Sequence, residues 1–241
     1  MVSTTRETRI AETFVEFADA LVDDFDVTEL LHVLVVRCVE LLDITAASLV
    51  LADVDGGLRT VVASDERSRL LELLAMQDEH GPCLDCYRSG EPLANVDLRT
   101  AGGRWPGFAP ESLAVGFDTS SALPLRLRTE VVGALNLLRT GALGDADLRL
   151  AQAMADAATI SILAYRTIRR SELLGAQLQT ALDSRVVIEQ AKGVLAERSR
   201  IGMDEAFRQL RGYARSHNRH LSELAREIVS GDVDLPPRDV R

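Results

Sequence analysis

The chain is almost without lysine, and this scarcity excludes several classes of protein. Of its 27 basic residues, Lys192 alone is not arginine. A P-loop and a protein-kinase core each need a lysine that reaches the nucleotide phosphates. A phospho-receiver needs one near its phosphorylated aspartate, but Lys192 lies far downstream of the acidic cluster Asp23, Asp24 and Asp26. The sequence therefore favours none of these three classes.

Long apolar runs, disulfide patterns and catalytic motifs are also absent. No apolar stretch reaches the roughly 20 residues that cross a bilayer, and residues 1–14 show no basic-then-apolar signal pattern. Three cysteines, an odd and small number, argue against a disulfide scaffold. The four histidines show no metallohydrolase spacing, and no GxSxG motif occurs. We expect a cytoplasmic protein that is not an enzyme, holds no metal and does not bind membranes.

The first 170 residues predict an α+β fold with an antiparallel sheet. Hydrophobic residues make up 46% of the chain, which is enough to form a core. The apolar stretches Ala46–Ala52, Ser120–Leu127 and Val131–Leu138 suit strands, and a short turn joins the last two. Segments with helical spacing of apolar residues flank them. Mixed helices and consecutive hairpin strands are typical of α+β domains.

From about Asp145 the sequence favours helix throughout. No proline occurs between Pro124 and Pro236. Apolar residues first recur in alternating steps of three and four, which is a heptad-like seam. The seam consists of Leu148, Ala151, Ala155, Ala158, Ile162 and Tyr165. Such a long helix either packs on the sheet or pairs with its twin in a dimer, and we expect Gly175 to loosen its junction with the segment that follows.

Residues 171–231 predict a three-helix bundle, and residues 232–241 predict a disordered tail. Each helix has one apolar stripe, and the breaks at Gly202 and Asn218 are short enough for helix–helix turns. The segment 175–231 contains nine basic and seven acidic residues, whereas the whole chain has a net charge of −10. A charge asymmetry of this kind hints at a segment that faces nucleic acid.

Basic side chains share faces of the predicted bundle helices. Arg208, Arg211 and Arg215 are three and four residues apart, so they form one stripe. Arg185 and Lys192 are seven residues apart and also share a face. A solvated helix surface explains this spacing, and so does phosphate binding by guanidinium groups.

Residues 173–230 contain a specific combination of motifs. It consists of Ser184–Leu195 (SRVVIEQAKGVL), Ala206-Phe207, Leu210-Arg211, Ala214, Asn218, Leu221 and Ala225. This combination resembles an ANTAR domain, the RNA-binding module of bacterial transcription antiterminators. The resemblance implies a three-helix bundle that binds paired RNA stem-loops, generally as a homodimer, and stabilises an antiterminator hairpin at the expense of a terminator. It assigns RNA contact to Lys192, Arg211 and Asn218. From charge and helix face we add Arg185, Arg208, Arg215 and Arg219.

Two residues of this region have a second interpretation. Asn218 suits a helix-ending position with positive φ. Gly193 directly follows the lysine inside a predicted helix, where glycine costs about 1 kcal/mol relative to alanine. We therefore expect another backbone to come close to Gly193.

The N-terminal part, about residues 8–170, contains a looser set of motifs. They are Gly81-Pro82-Cys83, Arg104-Trp105-Pro106, Ser121, Leu123-Pro124-Leu125 and Gly133-Ala134-Leu135-Asn136-Leu137. These motifs resemble a GAF domain of the kind fused to ANTAR in actinobacteria. The resemblance implies a sensor domain, residues 1–170, with a central antiparallel sheet, helices on both sides and a pocket for a small-molecule ligand. The ligand and any cofactor are unknown from the sequence.

Cys83 and Cys86 form a CxxC motif near His80 and at a predicted helix start. A helix start lowers the pKa of a thiol, which favours redox sensing. Zinc binding is a second interpretation, but a fourth ligand is not evident. The third is that both cysteines are buried structural residues. Trp105, the only tryptophan, is expected to anchor a loop.

We therefore expect an RNA-binding transcription antitermination regulator. It would be a homodimer that binds tandem stem-loops in nascent leader RNA under control of the sensor domain. The alternative is a ligand- or redox-responsive sensor whose bundle docks onto other proteins. DNA binding is a further alternative, but no recognition helix after a tight turn is evident.

Overall fold

The computed structural model of this chain describes residues 5–19, 27–53 and 57–234. The acidic cluster around Asp24 and most of the predicted disordered tail lie outside these residues. The chain divides between Thr167 and Ile168 into two compact units.

The described residues form helices and strands in an α+β order, as the sequence predicts. The helices are α1 (Arg6–Asp19), α2 (Val27–Leu41), α3 (Glu66–Asp78), α4 (Pro82–Ser89), α5 (Phe108–Ala114), α6 (Asp145–Ser199), α7 (Met203–Ser216) and α8 (Leu221–Ser230). The strands are β1 (Ala46–Ala52), β2 (Leu58–Ala63), β3 (Leu93–Asp97), β4 (Thr119–Leu127) and β5 (Glu130–Arg139).

The first unit is built on a five-stranded antiparallel sheet of order β2-β1-β5-β4-β3. Side chains alternate between the two faces of each strand. Leu49 of β1 and Leu135 of β5 therefore face the core that α2 and the start of α6 cover. Ser48 and Asn136, which are paired across the same two strands, lie on the opposite face toward α3 and α4. Helices cover both faces, which explains why β1 is apolar along nearly its whole length.

Gly133 allows β1 and β5 to come together. A Cβ at Gly133 would lie 2.2 Å from the carbonyl oxygen of Val50. No side chain fits at that distance, so only glycine permits this strand pairing. This steric limit explains why the GAF-like motif of residues 133–137 begins with glycine.

The predicted seam in the first part of α6 packs on the sheet. Ala151, Ala155, Ala158 and Ile162 are fully buried in the same core as Leu135. Of the two interpretations that the spacing allowed, packing on the sheet is therefore correct, and these side chains are not available to a twin helix.

The helix α6 continues without a break to Ser199, so its last part is also the first helix of the bundle. The expected loosening at Gly175 is wrong. One helix-interior glycine costs only about 1 kcal/mol, and the segment has no proline that would end the helix. Among the described residues, no helix has the length and apolar character that crossing a membrane requires.

The second unit is the predicted three-helix bundle. The end of α6 supplies Ala191 and Leu195 to its core. The other buried core residues are Ala206, Leu210 and Ala214 of α7 and Leu224, Ala225 and Ile228 of α8. The breaks before α7 and α8 lie where Gly202 and Asn218 predict them.

The helix α5 was not predicted, because glycine and proline surround it in the sequence. Pro110 lies in its first turn, where a missing backbone N–H breaks no helical hydrogen bond. Trp105 just before it is fully buried, and its Nε1 donates to Asp85 Oδ2 at 3.0 Å. Arg104 pairs with the same carboxylate at 2.8 Å. Trp105 thus anchors its loop to α4, as expected.

Candidate RNA-binding site

A basic groove lies where α7 ends and α8 begins. It is lined by Arg211, Ala214, Arg215, Asn218, Arg219 and Leu221 and has a volume of about 350 Å³. Adjacent turns of α7 supply Arg211 and Arg215, and the turn between the helices supplies Asn218 and Arg219. Guanidinium groups match phosphate oxygens with two parallel hydrogen bonds. Three of them around one groove therefore match the chemistry of phosphate groups.

Arg211 and Arg215 are the unpaired cations of the basic groove. Both are exposed, and neither forms an ion pair with any residue that the structure describes. Arg219 differs, because its hydrogen bond with the carboxylate of Glu227 raises the pKa of Arg219 and lowers that of Glu227. Arg208, one turn before Arg211, is exposed and pairs with a glutamate of its own helix. The structure thus brings most of the predicted arginines to one side of α7.

Asn218 is the left-handed residue that ends α7. Its φ is 51°, and the N–H of Arg219 donates to the carbonyl of Ala214 at 2.8 Å. Asparagine tolerates this conformation better than most residues with a side chain, so the structural interpretation of Asn218 is confirmed. Its side chain is exposed and lines the basic groove. Contact of that side chain with RNA stays a prediction.

Lys192 is held in place by two neighbours. Its side chain is only 15% exposed. The Nζ donates to both carboxylate oxygens of Glu189, at 2.9 and 2.8 Å, and lies 5.5 Å from the ring centre of Phe207. In the sequence, Phe207 stands out only as part of the motif Ala206-Phe207. The ring of Phe207, which is one turn before Arg211 on α7, also lies against the ammonium group of Lys192. The charge of Lys192 is therefore held in a fixed position for any RNA contact.

The expected close approach to Gly193 does not occur within the chain. A Cβ at Gly193 would meet no heavy atom of the described residues within 4 Å. That prediction is therefore wrong for the single chain. Arg185 is exposed and forms no ion pair with the residues that the structure describes.

The two cysteines of the CxxC motif are buried. Cys83 and Cys86 are both fully buried in α4, which begins at Pro82 as predicted. Burial, reinforced by the charge of Glu72, raises the pKa of Cys83 well above its usual range, and burial raises that of Cys86 to about 12. Thiol oxidation proceeds through the thiolate, so this arrangement does not support redox sensing. Within the described ranges, no group of three His, Cys, Asp or Glu side chains could hold a metal ion.

A buried carboxyl group forms the centre of a polar cluster between the sheet and α3–α4. Glu72 Oε1 accepts from Ser48 Oγ at 2.9 Å, from Asn136 Nδ2 at 2.8 Å and from Cys83 Sγ at 3.4 Å. Ser120 Oγ donates to Asn136 Oδ1 at 2.7 Å. Among the buried side-chain N and O atoms described, only Glu72 Oε2 has no hydrogen-bond partner. Burial raises the pKa of Glu72, although its three hydrogen bonds oppose this.

Comparison with known domain families matches both units. The ANTAR domain profile matches residues 176–229, and the GAF domain profile matches residues 26–162. No curated protein sequence matches the chain.

Solved structures resemble the first unit at low sequence identity. The GAF domain of a phosphoenolpyruvate-protein phosphotransferase from Coxiella burnetii is 15% identical with a TM-score of 0.53, over 69% of this chain and 99% of that one. The corresponding domain from Acinetobacter is 11% identical with a TM-score of 0.51, over 66% and 95%. Free methionine-R-sulfoxide reductase from Neisseria meningitidis is 14% identical with a TM-score of 0.50, over 70% and 96%. Identities this low show a shared fold alone.

The first unit thus matches a family of sensor domains, and the three-helix bundle matches a family of RNA-binding domains. The chain belongs to the GAF domain family and has an ANTAR domain, an RNA-binding antitermination module, after its GAF domain. Both are sensor and regulatory domains, and neither match describes an enzymatic domain.

Proposed function

We propose that this protein is a cytoplasmic, non-enzymatic transcription antitermination regulator. Its ANTAR domain binds paired stem-loops in nascent leader RNA under the control of the GAF domain. The observation that supports this most is the basic groove of the ANTAR domain, in which Arg211 and Arg215 have no acidic partner among the described residues. Unpaired guanidinium groups bind phosphate without first giving up an internal ion pair.

The groove favours RNA with exposed loops. Sequence-specific RNA recognition targets unpaired bases that are splayed out, stacked and hydrogen-bonded at their edges. The exposed amide of Asn218 lies among the phosphate-binding arginines, where it can read such a base edge. Arg185, Arg208 and Lys192 are further candidate RNA contacts outside the groove, of which Arg208 and Lys192 each pair with a glutamate in the free protein.

A homodimer would give this site its selectivity for paired hairpins. Two grooves on one dimer bind two adjacent stem-loops with a raised effective concentration, so modest single-site affinity is enough. A signal in the GAF domain, such as a small-molecule ligand, would then control the availability of the grooves.

RNA capture tests this function. Purified protein is mixed with fragmented transcripts of the source organism, and the bound RNA is sequenced and then titrated individually. We expect enrichment of adjacent hairpin pairs that overlap a terminator. Removing one charge-assisted hydrogen bond, with Arg211→Ala or Lys192→Ala, should weaken binding by about 10- to 100-fold. Tm should stay nearly unchanged for the exposed Arg211, whereas Lys192→Ala also loses the contacts with Glu189 and Phe207 and should lower it.

Arg170→Ala is the matched control, because Arg170 is an exposed arginine of α6 outside the ANTAR match. It should bind as the unmodified protein does. If Arg211→Ala binds RNA as tightly as the unmodified protein does, the assignment of the basic groove as the RNA-binding site is contradicted. Absence of binding at every salt concentration would favour the alternative, a sensor whose bundle docks onto proteins.

A further inference from the structure

Two aromatic rings stack on each other at the end of α7. The imidazole of His217 lies nearly parallel to the ring of Tyr213, with 3.9 Å between the ring centres and 17° between the ring planes. Tyr213 is half-buried and packs against the core of the bundle, whereas His217 is exposed. The core therefore supports Tyr213, and Tyr213 supports a second ring that faces solvent.

A hydrogen bond fixes the orientation of the imidazole of His217. Its Nδ1 lies 3.0 Å from the backbone carbonyl oxygen of Tyr213. A carbonyl oxygen only accepts hydrogen bonds, so Nδ1 carries the proton and donates it. Among the residues that the structure describes, Nε2 of His217 has no hydrogen-bond partner. Because Tyr213 covers one face of the imidazole and the carbonyl binds one edge, the exposed surface of His217 is its outer face and the edge at Nε2.

The stacked rings lie beside the basic groove. His217 directly precedes Asn218, which lines the groove together with Arg219. The hydrogen bond with Glu227 is the main cause of the raised pKa of Arg219, and Tyr213 is close enough to Arg219 to contribute to it. A nucleotide whose phosphate binds in the groove can therefore extend its base over the imidazole of His217.

We propose that the outer face of His217 is a subsite on which one unpaired base of the bound RNA stacks. We call the pair Tyr213 and His217 the base platform. This inference rests on the proposed function, and it adds a contact with a base to the phosphate contacts of the groove. Bases in hairpin loops are free to stack on aromatic side chains, whereas bases in a duplex already stack on each other. The base platform therefore favours RNA with exposed loops over double-stranded nucleic acid.

The imidazole of His217 is ordered before any RNA binds. A side chain that becomes fixed only on binding loses rotamer freedom, and this loss weakens the complex. His217 is already fixed by the ring and the carbonyl of Tyr213, so a base that stacks on it meets little of this cost. His220, an exposed histidine directly before α8, forms no side-chain hydrogen bond or ring contact with the described residues. It therefore provides a matched control.

Binding of short single strands to the full chain tests the base platform. The probes are a short oligouridylate, whose bases stack little on one another, and an abasic strand with the same number of phosphates. Both are titrated at low salt, where phosphate contacts are strongest. The oligouridylate should bind at least about fivefold more tightly, because stacking of one base on an aromatic side chain contributes on this scale. Equal affinity for the two strands, or no binding of the oligouridylate, would overturn the inference.

Substitutions of His217 separate stacking from the hydrogen bond that fixes the ring. His217→Ala removes the ring and the hydrogen bond, and it should abolish the preference for oligouridylate over the abasic strand. His217→Phe removes the same hydrogen bond but keeps an aromatic ring, so it should retain most of the preference. His220→Ala should retain all of it. Equal loss of the preference in the two His217 variants, or its retention in His217→Ala, would overturn the inference.

The captured leader RNA separates this inference from the proposed function. If paired hairpins are captured and His217→Ala binds them as tightly as the unmodified protein does, the base platform is overturned and the proposed function stands. If the preference for oligouridylate depends on His217 but no paired hairpins are captured, the base platform is supported and the proposed function fails. The two claims can therefore fail independently.

Discussion

Asn218 has two roles that one pair of substitutions separates. Its backbone has a φ of 51° and ends α7, while its side chain lines the basic groove. Asn218→Gly removes the amide and keeps the left-handed backbone. Asn218→Ala removes the amide and adds about 1–2 kcal/mol of backbone strain. For a domain of 60–100 residues, each 1 kcal/mol lowers Tm by about 4–8 °C. We therefore expect a clear loss of Tm for Asn218→Ala and little change for Asn218→Gly.

RNA affinity should follow the amide rather than the backbone. A neutral hydrogen bond contributes about 0.5–1.5 kcal/mol, so its loss weakens binding about 2- to 10-fold in both variants of Asn218. Thermal melting and titration with the same captured RNA measure the two effects separately. If Asn218→Gly binds RNA as tightly as the unmodified protein, the amide makes no contact and Asn218 is only a helix terminator. If Asn218→Ala melts at the unmodified Tm, the strain argument is wrong.

Three other predictions concern the GAF domain. Burial raises the pKa of Glu72, so above the usual pKa of a glutamate the unfolded chain releases this proton before the folded chain does. The Tm of Glu72→Gln relative to the unmodified protein should therefore increase as the pH rises above that usual value, and a Tm difference independent of pH would contradict this. Gly133→Ala should lower the free energy of unfolding, measured in urea, by about 3 kcal/mol. The control Gly102→Ala should change it by less than about 0.5 kcal/mol, because a Cβ at Gly102 has no described neighbour within 4 Å. Equal effects of the two substitutions would refute the steric argument for Gly133. Cys83 and Cys86 should react with a thiol reagent only after unfolding, and fast reaction of the native protein would restore the redox hypothesis.

The bundle was predictable because its determinants are local. Three apolar stripes and two breaks fix where α7 and α8 begin, and Asn218 suits the left-handed residue between them. Arginines three and four residues apart are on one side of a helix whatever surrounds it. The sequence therefore placed Arg208, Arg211 and Arg215 together before any tertiary contact was known.

Features that depend on distant contacts were not predictable. Ser48 and Asn136 face each other only because of the register between β1 and β5, so nothing in the sequence placed Glu72 at the centre of a polar cluster. The same holds for Phe207 beneath Lys192, which requires the packing of α7 on α6.

The helix α6 shows a third limit of sequence reasoning. Heptad-like spacing identifies an apolar seam but not the surface that covers it. The seam of residues 148–165 packs on the sheet, whereas Leu174, Leu178, Leu182 and Val186 of the same helix are exposed. Only the structure shows which of these apolar surfaces is covered within the chain.

The central claim is that the ANTAR domain recognises paired RNA hairpins through its basic groove. Its most direct test is the affinity of the full chain for one captured leader RNA, for the same RNA with one hairpin deleted and for duplex DNA, measured over a series of salt concentrations. We expect the two-hairpin RNA to bind at least about tenfold more tightly than either competitor, with an affinity that falls steeply as salt rises. Equal binding of all three nucleic acids, or no binding at low salt, would contradict the account.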